Sequence, residues 1–126
     1  MPHLRIEVSA ELSRSLDWKA LANDIHLGIS QRGWAGLNDL KTRVVVCADD
    51  LAGKDPLAQQ LVATLITTNP RPPDVLQAMQ ALVLTELEKA VSVLQPAQWV
   101  QCCVFLQATP KSEYMKWQWR APAAPT

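Results

Sequence analysis

The sequence predicts an α+β domain in which duplicated β-α-β units form a four-stranded sheet with two helices on one face. Three observations carry this prediction. Apolar residues switch between period two and period three-to-four along the chain in the order strand, helix, strand, then strand, helix, strand. Corresponding elements of the two halves are displaced by about 58 residues, the mark of an internal repeat, with pseudo-repeats spanning about 2–48 and 60–108. The chain is 126 residues long, enough for one hydrophobic core and too short for two ordinary domains, so a single domain over 1–126 is expected.

His3 to Ser9 alternates, with Leu4, Ile6 and Val8 on one face and His3, Arg5 and Glu7 on the other, and is predicted as the first strand. Trp18, Leu21, Ala22, Ile25 and Ile29 recur at helical spacing, with Ser15 or Asp17 as N-cap and Gly33 as the stop. Thr42 to Cys47, TRVVVC, is too short and too β-branched for a helix and reads as a buried strand. The polar segment Asp49 to Pro56 is a turn, and Leu61 to Thr68 a third strand that ends at Asn69 and Pro70. Pro72 and Pro73 hold Arg71 extended and suit the first turn of a helix beginning near Asp74. Leu76, Met79, Val83, Leu87, Ala90 and Leu94 form its stripe, and Pro96 ends it. Trp99 to Gln107 is the last strand, residues 109–126 form a C-terminal arm, and the tail from Ala121 is expected to be loose or to lie on a partner.

Each half is a crossover unit with parallel strands, which places both helices on one sheet face. The other face then needs a cover, and oligomerisation is the natural one. Twelve basic and twelve acidic residues cancel, removing the diffuse attraction on which nucleic-acid and anionic-membrane binders rely. No apolar run approaches the roughly 20 residues of a membrane span, and MPHLRIEV carries charge where a signal peptide would be apolar, so a cytoplasmic location is expected. Cys47, Cys102 and Cys103 have no CxxC spacing and read as free thiols, while His3 and His26 form no metal pattern and read as structural. The five tryptophans are expected in the core and at subunit contacts. Phosphate-loop, dinucleotide, GxSxG and EF-hand patterns are missing, and neither a metal nor an organic cofactor is expected.

The opening MPHLRIEVS, the element order, the Gly33 turn, LKTRV from Leu40 to Val44, and Arg71 ahead of the second helix together resemble the 5-carboxymethyl-2-hydroxymuconate isomerase family of the tautomerase superfamily. The resemblance covers nearly the whole chain. It implies a tautomerase-like fold, a homotrimer, and an enzyme of aromatic-compound catabolism that interconverts enol and keto forms of a small unsaturated, dicarboxylic 2-hydroxy acid. It further implies an N-terminal proline as acid/base once the initiator methionine is removed, with cationic side chains holding the substrate carboxylates. Lys41 stands where the family pattern has an arginine, keeping the charge but losing the planar fork. The last strand, QCCVFLQA, lacks the acidic residues of the pattern. Both departures point to a relative with a different substrate.

Pro2 is the candidate catalyst, because removal of Met1 exposes a secondary amine, and an amine acts as a base only when unprotonated. Apolar burial and the nearby cations Arg43, Lys41 and Arg71 are the expected means of lowering its pKa. Arg71, on a proline-stiffened loop at a helix N-terminus, is a candidate carboxylate ligand; the alternative is a solvated loop arginine. Arg43 and Lys41 share a strand parity and are the other candidates for substrate binding, although edge-strand charges that discourage aggregation look the same. A non-catalytic oligomer that kept the fold is the competing reading, and a ligand-sensing ferredoxin-like module ranks behind it because it gives no reason for Pro2.

Overall fold

The computed structural model describes residues 1–122. Its elements are β1 (His3–Ser9), α1 (Ala10–Ser13), α2 (Trp18–Gln31), β2 (Lys41–Cys47), β3 (Gln59–Thr67), α3 (Pro73–Leu94) and β4 (Val100–Ala108), with single 3₁₀ turns at Leu37–Asp39 and Lys111–Glu113. The strands form one sheet in the order β2-β1-β3-β4. β1 and β2 run parallel, as do β3 and β4, whereas the central pair β1 and β3 is antiparallel, with His3 opposite Ile66 and Val8 opposite Leu61. Each parallel pair is joined through a helix, as right-handed crossover logic requires.

The alternation of β1 is what selects the covered face. Leu4, Ile6 and Val8 are fully buried and meet Leu61, Ala63 and Leu65 of β3 beneath Ile25 and Ile29 of α2 and Met79, Val83 and Leu87 of α3. Both long helices therefore pack on one face. The opposite face carries His3, Arg5 and Glu7 of β1, Lys41, Arg43 and Val45 of β2, Thr64 of β3 and Cys103 and Phe105 of β4, and no helix covers it among the described residues. Arg5 and Glu7, two apart on that face, form an ion pair at 3.7 Å.

Helix ends follow local chemistry. Of the two predicted N-caps for α2 the chain uses Asp17, whose carboxylate accepts the Ala20 N–H at 3.1 Å. At the other end Gly33 adopts φ +73°, its N–H donating to the Ser30 carbonyl and that of Trp34 to Ile29. This is the Schellman arrangement, which needs a left-handed residue and hence favours glycine. α3 begins at Pro73 and ends with Gln95 in the left-handed region ahead of Pro96. The short helix α1 had no periodic signal; it is held by Leu12, whose side chain is in the core and whose N–H donates to Gln59 Oε1 at 3.0 Å.

Trp18 and Trp34 pack against the core, and Trp99, Trp117 and Trp119 are exposed on the single chain. Most of the predicted tail from Ala121 lies outside the described residues.

Candidate functional site

Because β1 is central, the chain starts between two neighbours: the beginning of β2 at Leu40 and Lys41, and the end of β3 at Thr67 and Thr68. Pro2 is fully buried, and its carbonyl accepts the Lys41 N–H at 3.2 Å. Behind it the packing against Ile25, His26, Ile29 and Leu65 leaves only ≈ 10 Å³. Met1 is half-buried above it. The Met1 amine donates to Thr68 Oγ1 at 2.5 Å, and the Tyr114 hydroxyl meets Met1 Sδ at 3.2 Å.

Two clefts open over this point. One of ≈ 400 Å³ is bounded by Asp39, Thr68, Asn69, Lys111, Tyr114 and Lys116. The other, ≈ 540 Å³, runs across His3, Lys41 and Arg43 to Tyr114, Lys116 and Trp117. Met1 forms part of the wall of both.

The local charge is positive although the chain as a whole is neutral. Burial holds the α-amino group below its ordinary pKa of 8.0, helped by Arg71, Lys111 and Lys116 and opposed by Asp39. His3 is likewise held below 6.5, by burial first and then by Arg43, the amine, Lys41 and Lys116. Arg43 donates Nη1–H to His3 Nδ1 at 2.9 Å, so Nδ1 is the acceptor and the ring proton sits on Nε2. That Nε2 is buried without a hydrogen-bond partner among the described residues, while the His3 ring as a whole meets the ring of Tyr114 edge-on at 6.4 Å between centroids. His26 bonds Thr42 Oγ1 at 2.7 Å and is held below 6.5 by burial and then by Lys41.

All four residues singled out in the sequence fall around this chain start, by different routes. Lys41 and Arg43 point to the open face of β2, with Lys41 Nζ also donating to the Asn38 carbonyl. Arg71 comes from the far side: its Nε–H donates to the Trp34 carbonyl at 3.2 Å and Nη1–H to the Asn69 carbonyl at 3.2 Å. The Gly33 turn thus presents the carbonyl that fixes the Arg71 fork. Thr68, Tyr114, Lys111 and Lys116 were missed. Thr68 looks like any strand-end threonine, and the other three lie in a segment whose position depends on contacts more than a hundred residues away in sequence, such as Tyr114 to Met1.

Among the described residues, no group of three or more His, Cys, Asp or Glu side chains is placed to hold a metal ion, and no helix is long and apolar enough to cross a membrane. Cys47, Cys102 and Cys103 are free, and burial raises the pKa of Cys102.

No family model and no curated protein matches the sequence. Solved structures match its fold closely. A 5-carboxymethyl-2-hydroxymuconate isomerase from Deinococcus radiodurans superposes with a TM-score of 0.80 at 11% identity, over 91% of this chain and 87% of that one. A 5-carboxymethyl-2-hydroxymuconate delta-isomerase gives 0.74 at 14% identity, over 95% and 89%. A fused 4-OT symmetric trimer gives 0.66 at 14% identity, over 89% of each. The chain has the tautomerase fold.

Proposed function

We propose, with the tautomerase fold as premise, that this protein is an isomerase acting on a small unsaturated 2-hydroxy acid, most simply a dicarboxylic one of the 2-hydroxymuconate type, with Pro2 as its acid/base. The observation that carries the reading is the setting of the chain start: Pro2 is buried, and Met1 just before it forms part of the wall of two clefts whose cations outnumber their acids. Removal of Met1 leaves the Pro2 nitrogen as the terminal amine. The same burial and the same cations that lower the Met1 amine would act on it, and a base with a lowered pKa is free at neutral pH.

The roles then follow from charge and position. The Pro2 nitrogen takes the proton of the enol hydroxyl and returns it to a carbon conjugated with that oxygen, the C–O bond becoming C=O as the double bonds shift, so the substrate gains no atoms and loses none. Arg71 and Arg43, with Lys41, hold carboxylates and stabilise the dienolate as it forms, where fixed charge lowers the barrier most. Assembly into a homotrimer covers the open sheet face and sets the cleft against a subunit boundary; the likeness to a trimeric structure supports this.

A second reading has its own support. The Met1 amine and sulfur each have a partner, Thr68 and Tyr114, so a chain that keeps Met1 is well seated and has no proline amine. That molecule would be a non-catalytic binder of the same anions. Intact-mass measurement on protein made without an N-terminal tag, followed by a 2-hydroxymuconate ketonisation assay on the same sample, separates the two. Loss of Met1 with turnover is expected, and Pro2→Ala should then lower kcat by about 10²- to 10⁴-fold with the assembly intact. Turnover undiminished in Pro2→Ala would defeat the mechanism, and complete retention of Met1 would favour the binder.

A further inference from the structure

We propose that Lys116 and Trp117, on the C-terminal segment, form the distal half of the substrate cleft: Lys116 pairs with a second carboxylate, and Trp117 stacks on the conjugated chain between the two anionic ends. This rests on the ligand class named above, but not on the Pro2 chemistry.

Three observations lead to it. The segment is anchored to the site. Thr109 N–H donates to the Thr67 carbonyl at 2.8 Å, the turn at Lys111–Glu113 closes through Glu113 N–H to Pro110 at 2.9 Å, and Tyr114 then reaches Met1 Sδ and the His3 ring. The three bases bounding the ≈ 540 Å³ cleft come from two walls: Lys41 and Arg43 from β2, Lys116 from the segment. Among the described residues no carboxylate side chain bounds it, in a molecule whose twelve acids equal its twelve bases. Cations contributed by two separate elements suit a ligand charged at both ends, and the volume is that of an ordinary small-molecule site. Next to Lys116 on the segment's wall stands Trp117, with 82% of its surface exposed. An indole left in water beside a cationic cleft is an apolar platform for a flat, conjugated anion.

The test reads binding and needs no turnover. Calorimetric titration at low ionic strength compares trans,trans-muconate, a conjugated dicarboxylate, with sorbate, which has the same diene and one carboxylate. Wild-type protein should bind muconate more tightly. Lys116→Gln should weaken muconate about fivefold and leave sorbate unchanged, with Lys116→Arg restoring the difference. Trp117→Ala should weaken both probes alike, by about threefold. Equal losses for both probes in Lys116→Gln, no loss in either variant, or no binding of muconate to the wild type would overturn the proposal. So would a Trp117→Ala protein that binds normally but assembles poorly, since the indole would then belong to a subunit contact. Repeating the titration on Pro2→Ala separates this inference from the mechanism: unchanged muconate binding there keeps the distal site whatever becomes of the catalyst.

Discussion

The two histidines beside the chain start show how charge is arranged around single residues. His3 is penalised by burial and by Arg43, the amine, Lys41 and Lys116, and His26 by burial and Lys41, so in both the neutral ring is favoured in the folded state. The sign of the linkage follows. The unfolded chain takes up these protons first as pH falls below about 6.5, so their contribution to stability is complete above that pH and is lost as pH drops through the lower, folded-state values. NMR titration of the imidazole protons should place both midpoints below 6.5. A His3 midpoint at or above that value would mean that neither burial nor the Arg43 contact at 2.9 Å favours the neutral ring. At this scale the sequence offers a candidate only where a residue's type already names its chemistry, as with Pro2, Arg43 and Arg71. Thr68 and Tyr114 matter because they touch Met1 across 67 and 113 residues, and no local pattern carries separations of that size.

Gly33 links the ends of two elements. Its left-handed backbone closes the C-terminus of α2, which in turn sets the Trp34 carbonyl that holds Arg71 ahead of α3. Gly33→Ala places a Cβ at φ +73°, although nothing else lies within 4 Å to obstruct it. The cost is therefore conformational, and denaturant unfolding should show a loss of about 1 kcal/mol. If the displaced carbonyl also releases Arg71, KM for a carboxylate substrate should rise more than kcat falls; an unchanged KM would show that Asn69 alone fixes the guanidinium. The element scale was the most legible one. Period two in β1, the β-branched run of β3 and the long stripe of α3 follow from which side chains must face the core, whereas β2, read as a buried strand, lies at the sheet edge with Val45 and Val46 exposed. What escaped was α1, too brief at 4 residues to show a period, and the path of the segment after β4, which is set by tertiary contacts.

For the whole molecule the open sheet face is the governing feature. Phe105 of β4 is 60% exposed and Val45 of β2 47% exposed on a face that no helix covers among the described residues. Sedimentation should give a particle three times the 14.0 kDa chain, and Phe105→Lys should shift it to monomer, because a buried unpaired ammonium disfavours the contact. A wild-type protein that sediments as a monomer would refute the proposed assembly. The sheet itself is nearly symmetric about its centre. β1 and β3 run in opposite directions, each with a parallel neighbour, so the place Pro2 takes before β1 is matched at the opposite edge by Ala58 before β3, buried to 4%. At that second strand start the polypeptide runs straight through, and an amide nitrogen, its lone pair delocalised into the carbonyl, accepts no proton at neutral pH. Of the two matched strand starts, only the first therefore stands beside a free amine, that of Met1.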